Sequence, residues 1–358
     1  MSAFHPLQVA SVDRLTRESI AVTFALPEAL ADTFRYVEGQ HLTLRTRIDG
    51  TEVRRSYSIC AGRDERMLRI AIKRIPGGVF SNWANDALRP GQTLDVLPPT
   101  GSFHVPLAPE QRRHYVAFAA GSGITPILSI LKTVLTVEPH SRFTLVYGNR
   151  ASSSVMFREE LSDLKDQHLE RLNLVFVMSR EHQDIELLNG RIDRTRVEGL
   201  LRHWIDPRGI DVAFICGPYD MMSAVAAVLQ EHGVDKARIR TELFSTEGAP
   251  VARAARPARA TGEGLCEVTV VQDGRKRVYT LQKNGQTLLD GALSQGVELP
   301  YSCKSGVCAT CRCKLTSGEV DMNAEFALED YEIARGFILA CQSYPLTDKI
   351  TIDYDQDA

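Results

Sequence analysis

Four cysteines, Cys303, Cys308, Cys311 and Cys341, constrain this chain more than any other feature. The spacing is Cys-x₄-Cys-x₂-Cys, then 29 intervening residues before the last. Such spacing fits a [2Fe–2S] cluster, in which each of two irons takes two thiolates and inorganic sulfide bridges them. The small residues in Cys303-Lys304-Ser305-Gly306-Val307-Cys308-Ala309-Thr310-Cys311 let backbone N–H groups approach a negatively charged cluster. A zinc site usually joins one Cys-x₂₋₄-Cys pair to a second, whereas here the fourth cysteine stands alone. Cys313 is the competing ligand, but its alternation after Cys311 places it on a strand facing a core.

The chain has 358 residues, too many for one ordinary core, so two or three domains are expected. Of eight cysteines, four crowd into the eleven positions from Cys303 to Cys313, which points to metal chemistry in a reducing compartment rather than to disulfides. Cys60 and Cys266 lack supporting motifs and read as core residues. No apolar run reaches the roughly 20 residues that span a bilayer. The start, Met1-Ser2-Ala3-Phe4-His5-Pro6, lacks a basic and apolar leader, so a cytoplasmic location is expected. Net charge is −3, and from Glu263 onward 15 acidic residues face nine basic ones. An acidic tail on a mildly basic body suits docking to a protein and argues against nucleic acid.

Short β-type runs fill residues 4–106, among them Leu7 to Val12, Ile20 to Phe24, His41 to Arg45 and Leu68 to Ile72. Their close spacing predicts an antiparallel barrel or sandwich. Residues 114–244 alternate instead. Strands are expected at Tyr115 to Ala120, Phe143 to Tyr147, Leu172 to Met178 and Val212 to Cys216. Helices are expected at Pro126 to Thr136, Ser154 to Leu164 and Asp220 to His232. That alternation predicts a parallel, doubly wound α/β sheet. Residues 245–262 carry almost no large apolar side chain and read as a linker. The expected divisions are 1–108, 109–244, the linker 245–262, and 263–358.

Arg55-Ser56-Tyr57-Ser58 resembles the Arg-x-Tyr-Ser motif of the ferredoxin–NADP reductase family. The resemblance implies a flavin, FAD with FMN as the alternative, with Arg55 on phosphate, Tyr57 on the ring and Ser58 near N5. Gly77-Gly78-Val79-Phe80-Ser81 precedes an expected helix, and a Gly turn into a helix N-terminus cradles phosphate. Gly121-Ser122-Gly123-Ile124-Thr125-Pro126 joins the first strand of the α/β segment to its helix, where a doubly wound sheet binds dinucleotides. It is not Gly-x-Gly-x-x-Gly, since Pro126 holds the last position, but it resembles the reductases' own loop. In that family Cys216-Gly217-Pro218 would lie beside the nicotinamide, and Phe244 would cover the flavin, with a core Phe as the plain alternative. Ser179-Arg180-Glu181 resembles the 2′-phosphate motif of NADPH-preferring members, and Arg150 is placed to help; NADH stays the alternative.

The last segment resembles plant-type ferredoxins, through Leu299-Pro300-Tyr301-Ser302-Cys303 and Leu339-Ala340-Cys341-Gln342. That resemblance implies a β-grasp fold with a helix near Thr287 to Gln295. Across the whole chain, Phe4-His5, Gly39-Gln40-His41-Leu42-Thr43-Leu44, Tyr147-Gly148-Asn149-Arg150 and the Gly306–Cys311 loop resemble reductase components of multicomponent di-iron monooxygenases. Electrons would pass from NADPH through flavin and cluster to an oxygenase partner. A similarly built reductase of a Rieske oxygenase is the nearest alternative, and a non-catalytic iron–sulfur redox sensor is the alternative of another class.

Overall fold

A computed structural model describes residues 3–244, 264–283 and 285–356. The expected linker 245–262 lies outside these described residues. The chain divides into two compact units, one of Phe4–Val53 with Tyr57–Gly248, the other of Ala249–Ala358 with Met1–Ala3 and Arg54–Ser56.

The first sheet contains β1 (His5–Thr16), β2 (Ser19–Ala25), β3 (His41–Ile48), β4 (Thr51–Ser58), β5 (Leu68–Lys73) and β6 (Thr93–Val96), in the order β4-β3-β6-β1-β2-β5. Its β1–β2, β1–β6, β2–β5 and β3–β6 pairs are antiparallel. Strand alternation sends Leu7 and Val9, Leu42 and Leu44, and Leu68, Ile70 and Ile72 to one buried face. Helix α1 (Val79–Ala87) adds Phe80 and Ala84 to that core.

The second sheet is parallel: β7 (His114–Ala120), β8 (Arg142–Asn149), β9 (Leu172–Met178), β10 (Val212–Cys216) and β11 (Ile239–Glu242), in the order β11-β10-β7-β8-β9. Strands buried on both faces are continuous apolar runs, as in Val212-Ala213-Phe214-Ile215-Cys216. The intervening helices are α2 (Ile124–Val137), α3 (Arg158–Gln167), α4 (Arg194–His203) and α5 (Tyr219–Glu231). The chain winds from β7 through β8 to β9, then returns to the other side of β7 for β10 and β11. That reversal opens a crevice at the carboxyl ends of the strands, beside the loop after β7.

Two helices depart from expectation. The expected start at Ser154 is instead a single 3₁₀ turn, Ser152–Ser154. Phe157, left-handed at φ 59°, then re-aims the chain, and α3 begins at Arg158. Helix α4 has no counterpart in the sequence reading because only Val197, Leu200 and Leu201 of its ten residues are buried.

The carboxy-terminal unit holds β12 (Leu265–Gln272), β13 (Arg275–Gln282), helix α6 (Leu288–Ser294), β14 (Arg312–Ser317), β15 (Val320–Met322), helix α7 (Asp330–Ala334), β16 (Phe337–Leu339), β17 (Ser343–Pro345) and β18 (Lys349–Asp353). Five strands form a mixed sheet, β13-β12-β18-β14-β16, in which β12 runs parallel to β18 and antiparallel to β13. Helix α6 starts where Thr287 Oγ1 accepts from the Asp290 N–H at 3.1 Å, a cap contributing about 1 kcal/mol. The Tyr279 hydroxyl pins the helix to the sheet by donating to the Leu288 carbonyl at 2.6 Å. This is the β-grasp arrangement. Among the described residues no helix is long and apolar enough to cross a membrane.

Candidate functional site

The crevice is a cleft of about 1000 Å³. Its floor is the loop Gly121–Gly123, and its walls include Arg150, Ser179, Arg180, Gly217, Pro218 and Phe244. Gly123 allows that floor to exist: a Cβ there would fall 2.1 Å from the Cys216 carbonyl oxygen. The loop can therefore press against the end of β10, leaving a cradle for a dinucleotide. Thr125 Oγ1 donates to the Ser122 carbonyl at 3.0 Å, fixing the loop as it enters α2. Pro126 is buried in the first turn of α2, where its missing N–H leaves no helical bond unmade.

The basic side of the cleft is built by backbone pairing. Ser179 N donates to the Asn149 carbonyl at 2.9 Å and Arg180 N to the Arg150 carbonyl at 2.8 Å. Ser179, Arg180 and Arg150 line one side of the cleft, with both arginines exposed at its rim. Arg150 pairs with Glu18 at 3.6 Å. Glu181 is drawn away by Ser152, whose backbone N–H donates to it at 2.7 Å. Lys73, at the end of β5, also lines the cleft. A Cβ on Gly121 would lie 3.3 Å from its ammonium, and burial, then Arg150, lowers its pKa. No short motif marks Lys73; only the fold brings it to the Gly121–Gly123 loop.

Tyr57 and Ser58 close β4. The Tyr57 ring lies 5.6 Å from Phe80, which lies 5.5 Å from Trp83. Phe80 is thus a buried support under Tyr57. Arg55, on the same strand, donates from Nη1 to the Arg54 carbonyl at 2.7 Å. Gly77, left-handed at φ 71°, and Gly78 lead into α1, whose first turn has no side-chain cap. Its free N–H groups suit a phosphate. Ser81 Oγ is engaged locally, accepting from Ile75 N at 3.2 Å.

Where the two sheets of the larger unit meet, Ser58 Oγ donates to Glu242 Oε2 at 3.4 Å. Burial, opposed by that one hydrogen bond, pushes the Glu242 carboxyl up to about 8. Cys216 is fully buried, and burial followed by the charge of Glu242 raises its thiol well above the ordinary value. It is therefore a neutral thiol. Glu242 carried no signal of its own in the sequence, since its burial is tertiary. Phe244, 39% exposed, lines the cleft and is not a core side chain.

In the smaller unit the four cysteines are electrostatically coupled in two pairs. Cys308 lowers the pKa of Cys303, and Cys341 raises that of Cys311. Ser305 N–H donates to Cys303 Sγ at 3.3 Å, and Gln342 Nε2 approaches Cys341 Sγ at 3.6 Å. Gly306 takes φ 79°, and a Cβ there would crowd Ala324 and Gln342 at 3.2 Å. Among the described residues, no three His, Cys, Asp or Glu side chains converge on one metal position. The Cys-x₄-Cys-x₂-Cys loop with its distant fourth cysteine fits a two-iron cluster better than one tetrahedral zinc. Cys313 sits on β14, buried in the core with its thiol pushed up to about 12 by burial. Cys60 and Cys266 are likewise buried.

Residues 6–105 match the oxidoreductase FAD-binding domain, 118–227 the oxidoreductase NAD-binding domain, and 270–346 the 2Fe-2S iron-sulfur cluster binding domain. The chain is 45% identical to a subunit of the 1,2-phenylacetyl-CoA epoxidase of Escherichia coli K12, over 99% of both chains. The chain belongs to the ferredoxin–NADP reductase superfamily, in the branch carrying a 2Fe–2S domain. It is 35% identical to the ferredoxin reductase component of 3-ketosteroid-9-alpha-monooxygenase of Rhodococcus rhodochrous, over 97% of this chain and 96% of that one. Phthalate dioxygenase reductase shares the fold, with a TM-score of 0.59 at 22% identity and 98% coverage of both chains. This reductase is accordingly an oxidoreductase that uses FAD, NAD(P)H and a [2Fe–2S] cluster.

Proposed function

We propose that this reductase is the electron-delivering component of a phenylacetyl-CoA epoxidase, passing electrons from NADPH to a di-iron oxygenase partner in phenylacetate catabolism in the cytoplasm. The observation that carries the proposal is the end-to-end 45% identity to the Escherichia coli protein. The 35% relative supports a steroid-hydroxylating oxygenase as the second partner class. We divide the work among 1–108 for flavin, 109–244 for nicotinamide nucleotide and 263–358 for the cluster, joined by 245–262.

Flavin accepts a hydride as two electrons and releases them singly, which matches a [2Fe–2S] cluster that takes one at a time. This chain's residues hold and orient. Arg55 and the α1 N-terminus, with Gly77 and Gly78, would hold flavin phosphates, while Tyr57, backed by Phe80, would lie on the ring. Ser81 fixes the turn. Gly121, Gly123, Thr125 and Pro126 shape the dinucleotide cradle. Arg150, Ser179 and Arg180 would bind a 2′-phosphate, favouring NADPH. Cys216, Gly217 and Pro218 would seat the nicotinamide, with Phe244 beside it. Ser58 and neutral Glu242 would hold a proton at the flavin edge. Cys303 with Cys308, and Cys311 with Cys341, would each ligate one iron.

Reconstitution tests the partner. The purified chain, mixed with NADPH, phenylacetyl-CoA and the di-iron components of the epoxidase, should support epoxidation coupled to NADPH oxidation. Coupling to a steroid oxygenase but not to the epoxidase would reverse the assignment.

A further inference from the structure

Helix α2 leaves the Gly121–Gly123 loop with a strongly apolar sequence, yet Ser129, Lys132 and Thr133 are buried along it. Spacings of three and four place them on one face of the helix. That face meets residues 60–65, where the chain continues beyond Ser58. Ser129 Oγ donates to the Ala61 carbonyl at 2.7 Å, and both residues are fully buried. One turn on, Thr133 Oγ1 accepts from the Arg63 N–H at 3.1 Å and donates to the Ser129 carbonyl at 2.8 Å. Between these rungs the approach is close: a Cβ on Gly62 would lie 3.1 Å from the Lys132 Cβ. Lys132 closes the seam with an ion pair to Glu65 at 2.7 Å and another to Glu160 of α3, which Arg69 of β5 also meets at 3.1 Å.

The seam joins the antiparallel sheet to the parallel one by directional bonds. Apolar packing is non-directional and would let the helix slide. Hydrogen bonds weaken steeply with misalignment and so hold a register. The two ends held by this register are the two that must meet. Ala61 lies three residues beyond Ser58, at the proposed flavin edge, and Ser129 six beyond Gly123, in the proposed nucleotide cradle. We infer that Ser129 is a positioning residue for the transfer of a hydride, with its two electrons, from nicotinamide to flavin: its bond to Ala61 sets where Ser58 stands against the Gly121–Gly123 loop. Thr133 is the second rung of the same device. This rests on the reading of the cleft as the nucleotide site.

The test compares Ser129→Ala and Thr133→Val with the parent as full-length holoproteins, mixed anaerobically with NADPH. It reads FAD content, the limiting rate of flavin reduction, the NADPH concentration at half that rate, and the long-wavelength charge-transfer absorbance of NADPH stacked on oxidised flavin. A misplacement of about 1 Å can cost about a hundredfold in rate. Both variants should keep their FAD and half-saturate at the parent's NADPH concentration. They should lose about tenfold or more in limiting rate, together with the charge-transfer absorbance. Thr136→Val, whose hydroxyl bonds within the helix to the Lys132 carbonyl at 3.0 Å, should match the parent. Parent-like rate and charge-transfer absorbance in both rung variants, with or without a lowered thermal midpoint, would overturn the inference and leave the seam structural. An equally slowed Thr136→Val would overturn it too, since any change in α2 would then suffice. Unfolding or FAD loss in both rung variants would also overturn it; where one folds, that one decides. Should NADPH fail to reduce the parent's flavin, the reading of the cleft falls, an outcome distinct from parent-like variants.

Discussion

Glu242 shows how one half-buried, desolvated side chain can set a pH dependence. Burial outweighs its hydrogen bond from Ser58, and its pKa stands at about 8 instead of 4.5. The folded chain thus keeps a proton that the unfolded chain loses near 4.5. The associated stability is complete below about pH 4.5 and is lost as pH rises through about 8. Any step that needs Ser58 bonded to a neutral Glu242 follows the same curve. In Glu242→Gln, which stays neutral, the component titrating near 8 should vanish from the pH profile of NADPH-driven flavin reduction. A profile unchanged between pH 6 and 9 would remove Glu242 from proton handling. Glu242 illustrates what the sequence hides. The strand end at Cys216 was legible because Gly217 and Pro218 follow it in a turn, whereas Glu242 acquires its properties only when β11 packs beside β10 and β4 approaches.

At the scale of elements, the proposed function gives nucleotide choice to the turn after β9. Arg180 is exposed at the cleft rim and, among the described residues, has no carboxylate partner, unlike Arg150 with its Glu18. A charge-assisted bond to a 2′-phosphate contributes roughly 1.5–3 kcal/mol, so Arg180→Ala should cut the preference for NADPH over NADH by about ten- to a hundredfold in kcat/KM. Equal losses for both nucleotides would contradict that role. Elements with one dominant pattern were readable in advance. β9 and β10 occupy the expected residues because they are apolar runs bounded by polar turns. Helix α4 was not, because charged residues dominate Arg194–His203. Its trace was Asp193, whose side chain accepts from the Arg196 N–H at 3.0 Å as an N-cap. The false start at Ser154 has the opposite cause: a serine suited to capping was spent on a 3₁₀ turn.

For the whole molecule, the proposed function divides hydride chemistry and single-electron chemistry between separate parts of one chain. The four cysteines proposed as ligands lie in one compact unit, and Ser58, Cys216 and Glu242 in the other. Cys308→Ser, which removes one proposed ligand of the Cys303 pair, is the decisive variant. The variant is compared with the parent for FAD content, cluster absorbance, and NADPH-driven reduction of a two-electron dye and of cytochrome c, a one-electron acceptor. The expected result is full FAD content, a lost or weakened cluster, near-normal dye reduction and a collapse of cytochrome c reduction. Loss of dye reduction in a variant that keeps its FAD would contradict it.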